Sequence, residues 1–133
     1  MFEHVPPPVQ KAFDNLASIL KPTGFVVFSV PWAPEGQTIE RFPALYDWQI
    51  TTLESGTVLV NRTESGFLEV FDNLIFHGGP GQTLEMRLFS KSDLVAHLQA
   101  AGFSCIKFAE RQESLKYGIV WEPWSIGLVA RKQ

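Results

Sequence analysis

The sequence is almost without cysteine: Cys105 stands alone in 133 residues, which excludes an internal disulfide framework and a cysteine-rich zinc site. It also lacks a surplus of positive charge. With 11 Lys plus Arg against 14 Asp plus Glu the formal net charge is −3, leaving no basic field to neutralise phosphates or an anionic membrane surface. No apolar run approaches the ~20 residues of a membrane-spanning helix. The opening Met1-Phe2-Glu3-His4-Val5-Pro6-Pro7-Pro8 has neither the basic nor the apolar region of a signal peptide. A cytoplasmic setting is therefore expected, with neither nucleic acid nor membrane as a partner. A Gly-x-Ser-x-Gly nucleophile elbow and a glycine loop leading into Lys-Ser/Thr are missing too. What the chain does have is apolar bulk: 45% hydrophobic residues, with 11 Phe and 4 Trp, enough to close the core of one domain spanning 1–133.

Val9, Phe13, Leu16, Ala17 and Leu20 recur at spacings of three and four behind Pro6 to Pro8, which predicts an amphipathic helix over 8–20. Pro22 and Gly24 end it. The continuous run Phe25-Val26-Val27-Phe28-Ser29-Val30 then fits a strand buried on both faces, as in a parallel α/β sheet. Pro31, Pro34, Gly36 and Pro43 break the next stretch into loops. Runs at 46–53, 57–61 and 67–71, separated by polar glycine-containing turns, predict an antiparallel meander. Ser90 and Asp93 have the spacing of a helix cap, Leu94, Val95, Leu98 and Ala101 share a face, and Gly102 is a stop. Strands are expected at 103–110 and 124–131.

His4, His77 and His97 are far apart in sequence and form no His-x-x-x-His pattern, so no metal is expected. His97 lies beside the apolar stripe of the second helix. His77 precedes Gly78-Gly79-Pro80-Gly81, a loop that either projects it into a cleft or takes its hydrogen bond locally. The same string is similar to the oxyanion loop of α/β-hydrolases, but the nucleophile elbow is absent. Asn61-Arg62-Thr63 is expected to be a turn and Cys105 a buried small hydrophobe. Glu85 and Arg87, two residues apart on a strand, point to one face and can pair at the surface. Trp121 and Trp124 flank Pro123 as a candidate cavity rim.

Leu20-Lys21-Pro22-Thr23-Gly24, the strand ending Ser29-Val30-Pro31, the helix ending Ala100-Ala101-Gly102-Phe103 and the closing Val129-Ala130-Arg131-Lys132 fall in an order that resembles class I S-adenosylmethionine-dependent methyltransferases. In that family two glycines follow the proline of the first turn. Here Thr23 takes the place of the first. The resemblance covers nearly the whole chain, yet only the C-terminal half of the family's fold. The first strand, its glycine loop and the acidic ribose-binding residue have no counterpart.

The resemblance implies an α/β protein, α+β in appearance. It would carry a partial Rossmann-like sheet, two main helices and a substrate-region insertion at 32–89. In the family's strand order, 3-2-1-4-5-7-6, the strands present correspond to 5, 7 and 6. It further implies that Glu3, His4 and Val5 border the cofactor S-adenosylmethionine, and that Tyr46, Asn73 and Arg87 meet a small methyl acceptor. His77 would be the general base. Cofactor binding would need the missing N-terminal half. The exposed edge at 25–30 implies a homodimer, a rearranged fold in which the meander covers it, or association with that half. The alternative is a non-catalytic dimeric module that binds a small ligand and derives from a methyltransferase.

Overall fold

The computed structural model describes all residues but 34, 35, 80, 110, 123 and 126, and the side chains of all the others but 111 and 113. Pro34 and Pro80 of the expected loops, the expected strand end Glu110 and Pro123 of the expected rim therefore lie outside the described residues. A 3-10 turn, Phe2–His4, precedes helix α1, Gln10–Ile19, and strands β1, Phe25–Ser29, β2, Trp32–Ala33, and β3, Ile39–Glu40. The meander follows as β4, Asp47–Leu53, β5, Gly56–Arg62, and β6, Leu68–Phe71. A short hairpin of β7, Phe76–His77, and β8, Thr83–Leu84, leads to β9, Arg87–Ser90, and helix α2, Lys91–Ala100. The chain closes with β10, Phe103–Phe108, a helical turn α3, Arg111–Leu115, and β11, Gly127–Lys132.

Both main helices form where apolar spacing and end signals agree. The Ser90 hydroxyl accepts the Asp93 N–H at the start of α2, and Gly102 takes the left-handed φ of 89° that ends it. Helix α1 buries Phe13 and Ala17, with Val9 buried at its cap, and its end turns extended at Leu20 just before Lys21-Pro22. The stripe of α1 and Leu94 and Leu98 of α2 pack on a three-stranded sheet ordered β1-β11-β10, whose central strand runs antiparallel to both neighbours. Phe28, Leu128 and Ala130 face these helices.

The strand at 25–29 departs from the expected double burial. Phe25 and Val27 are 60% and 70% exposed, because the helices of this chain cover only one face of the sheet. An apolar run reads the same whether one face or two is covered. Its pairing is also antiparallel, and the lone parallel ladder among the described residues is β2 with β9. The architecture is α+β. The outer edge of β1 has no strand beside it among the described residues, and the meander does not cover it.

The meander builds its own sheet, β4-β5-β6, over a second core of Phe42, Leu59, Leu84 and Met86. Asn61 ends the strand run expected at 57–61 and, against the expectation of a turn from Asn61 to Thr63, lies fully buried in β5, where its amide bonds the Tyr46 N–H, the Ala44 carbonyl and Glu69. Those three partners answer the desolvation of a buried polar group. Cys105 is exposed rather than buried, at a φ of 50° where the register of β10 against β11 shifts. No helix among the described residues is long and apolar enough to cross a membrane.

His97 stacks on Phe13 with ring centroids 5.3 Å apart, and its Nδ1 lies 2.6 Å from Gln10 Oε1. Burial pushes its imidazole below the ordinary histidine range, outweighing the opposing pull of Asp93. The unfolded chain then takes up this proton more readily than the folded one. Stability from this residue is complete above the unfolded value of ~6.5 and falls as pH drops below it. In urea titrations, the stability difference between the wild-type chain and His97→Gln is expected to shrink between about pH 7.5 and pH 5.5. A difference that stays constant would refute the assignment.

Candidate functional site

The two cores meet at the Phe2–His4 turn, and strand β9 with the residues before it fastens that turn. The Met86 N–H donates to the Glu3 carbonyl at 2.7 Å. Arg87 Nη1 donates to the carbonyls of Phe2 and Val5 at 2.9 and 2.6 Å, while its Nε reaches Glu40 at 2.6 Å. Phe2 stacks on Phe13 at 4.2 Å, so the turn is held by apolar contact as well.

These contacts set Glu3 and His4 against His77 on the β7–β8 hairpin. Glu3 is buried, with Oε1 lying 3.3 Å from His4 Nε2 and 4.0 Å from His77 Nδ1. Its Oε2 faces the Met1 amine at 2.5 Å, an ion pair whose angles are not those of a hydrogen bond. The two imidazoles meet edge to face, ring centroids 4.7 Å apart. Behind each ring stands an oxygen that can only accept: His4 Nδ1 is 2.8 Å from the Leu84 carbonyl, and His77 Nε2 is 2.7 Å from Glu85 Oε2. Each therefore donates outward, which in the neutral ring leaves the inner nitrogen as a bare lone pair. Glu85 is itself held by Arg41 through Nε at 2.7 Å and through Nη2. His77 remains 34% exposed, so the cluster opens to solvent on its side.

Three of the expected site residues, Glu3, His4 and His77, thus come together, whereas Val5 gives its carbonyl to Arg87 and packs against the helix-backed core. The sequence separation that argued against a cluster of histidines is closed by the fold, which brings the chain start against the hairpin. Tyr46 and Asn73 do not join them. Tyr46 lines a groove of about 570 Å³ with Pro7, Pro43 and Thr63, whereas Asn73 lines another of about 380 Å³ beside Arg41 and Phe71. Arg87, expected to meet an acceptor, is fully buried and serves as an anchor of the turn. Nor do Glu85 and Arg87 form a surface pair: both are buried, and each bonds a different partner, Arg41 and Glu40. Trp121 lies against Gly127 and donates to Ser114, while Trp124 is exposed.

Arg41 and Glu85 belong to the site although sequence spacing did not single them out as partners of His77. For Glu85 the signal available was Leu84-Glu85-Met86-Arg87-Leu88, in which two charges alternate with apolar residues across the link between β8 and β9. Fold and site together define a small α+β protein with a histidine–carboxylate cluster at the seam of two cores. The chain matches no protein-family model and no curated protein sequence.

Proposed function

We propose that this chain is the acceptor-recognising C-terminal half of an S-adenosylmethionine-dependent methyltransferase acting on a small molecule, with the cofactor bound only when an N-terminal half joins it. The observation that carries this reading is the order β1-β11-β10 with an antiparallel centre and a helix ahead of each outer strand. It corresponds to the 5-7-6 end of the family's sheet. Thr23, where the family has glycine, holds the left-handed φ of 62° that glycine adopts freely. The bare edge of β1 and the exposed Phe25 and Val27 lie where further strands and helices would pack.

In this reading Glu3, His4 and Val5 border the reacting methyl group, and S-adenosylmethionine supplies that methyl when bound. In the same reading His77, held by Glu85 and open to solvent, takes a proton from an acceptor oxygen or nitrogen. A second reading, a dimeric ligand-binding module without cofactor, is favoured by the same exposed edge, which a second copy would cover.

Calorimetric titration with S-adenosylhomocysteine, with the mass in solution measured on the same sample, separates the two. The isolated chain is expected to give no binding heat, and a mixture with a glycine-loop N-terminal half to bind. A dimeric mass with no binding in either sample would overturn the first reading in favour of the second.

A further inference from the structure

We propose that Glu3, His4 and His77 form a binding site for one divalent first-row transition ion. The inference goes beyond the acceptor-half reading and does not depend on it; an ion held by His77 Nδ1 takes the lone pair that a base at His77 would use, so the two roles exclude each other. It starts from an imbalance of hydrogens. The outward nitrogens of both imidazoles face oxygens that only accept, the Leu84 carbonyl and the Glu85 carboxylate, so they carry the ring protons. In the neutral rings the inner nitrogens, His4 Nε2 and His77 Nδ1, then converge with Glu3 Oε1 as three electron pairs with no hydrogen between them. One ligand atom from each residue lies within 4.8 Å of the other two. Three such atoms repel one another unless a proton or a cation stands among them, and the Met1 amine stands at the other carboxylate oxygen, Oε2.

The geometry suits a metal. Bonds of about 2.1 Å to tetrahedral ligands place the ligand atoms ~3.4 Å apart. The 3.3 Å separation of His4 Nε2 from Glu3 Oε1 already meets this, and the 4.0 Å to His77 Nδ1 closes with a small movement of the hairpin side chain. Two imidazoles and one carboxylate form a borderline donor set, suited to zinc, cobalt or iron(II) rather than to calcium or magnesium. Three protein ligands leave a position open, and His77 lies on the exposed side where a water or an oxygen donor would enter. The outer shell is also built. A carbonyl behind one histidine and an Arg41-held carboxylate behind the other fix ring orientation as metal sites require. The acidic pair, Glu3 and Glu85, is buried and therefore poorly screened.

The test is titration of the tag-free full chain with Co²⁺, followed by visible absorption, with Zn²⁺ as competitor and no methyl donor present. Ligand-field bands are expected to saturate at one equivalent and to be displaced by Zn²⁺. His77→Ala and Glu3→Gln are each expected to weaken Co²⁺ binding at least about ten-fold. Circular dichroism of the metal-free variants guards against unfolding, and the partly exposed His77 is the safer of the two sites to change. If protons alone balance Glu3, Co²⁺ gives no bands and the proposal fails. It fails equally if His77→Ala binds as tightly as the wild type, or if only His97→Ala removes the bands.

Discussion

Arg87→Met is expected to destabilise the chain by about 3 kcal/mol, a large share of the ~5–15 kcal/mol that a domain has in total. The side chain is fully buried, and three groups depend on it: the Glu40 carboxylate and the Phe2 and Val5 carbonyls. Methionine keeps most of the volume, so the loss isolates hydrogen bonds and charge from cavity formation. Glu40 is a third exposed and can turn to water, which holds the cost below that of a fully buried orphaned charge. The carbonyls are less able to do so. An unfolding free energy from urea titration that falls by less than about 1 kcal/mol would show that Met86 and the Phe2–Phe13 stack hold the turn unaided.

Phe13→Ala is expected to cost about 3–5 kcal/mol. The ring is wholly buried and contacts Phe2 at 4.2 Å, His97 at 5.3 Å and Phe89 at 6.1 Å. Its removal opens a cavity between α1, α2 and the 3-10 turn, walled by rings too stiff to collapse into it. Thermal unfolding measures the effect. Phe13→Leu, which retains apolar volume but no flat ring, is expected to lose less than the alanine variant. Equal losses would mean that stacking, not volume, dominates at this position.

The helices were legible because their information is local: a stripe at Val9, Phe13 and Ala17, a cap at Ser90 and Asp93, a stop at Gly102. The meander was legible for the same reason, its turns falling where polar glycine-containing stretches part the apolar runs. Burial of β1 was not, since Phe25 and Val27 carry no mark of whether a second layer will cover them. Asn61 belongs both to the apolar run at 57–61, which the strand confirms, and to Asn-Arg-Thr, which suits a turn; only the fold supplies the three partners that let the amide go inside. The cluster of Glu3, His4 and His77 lay beyond local reading altogether. Each residue was singled out, but their meeting depends on Arg87 and Met86 drawing the chain start onto a strand from the far side of the sequence.

The placement of that cluster gives it a mechanical meaning. Glu3 and His4 are flanked by Phe2 and Val5, which belong to the helix-backed core, whereas His77 follows Phe76, which pairs with Leu84, and both of these belong to the meander's core. An ion bound there would act as a clasp between two cooperative units that could otherwise open separately. Its binding energy would be lost if either core opened, so that occupancy would be felt in β4–β6 as well, away from the ligands themselves.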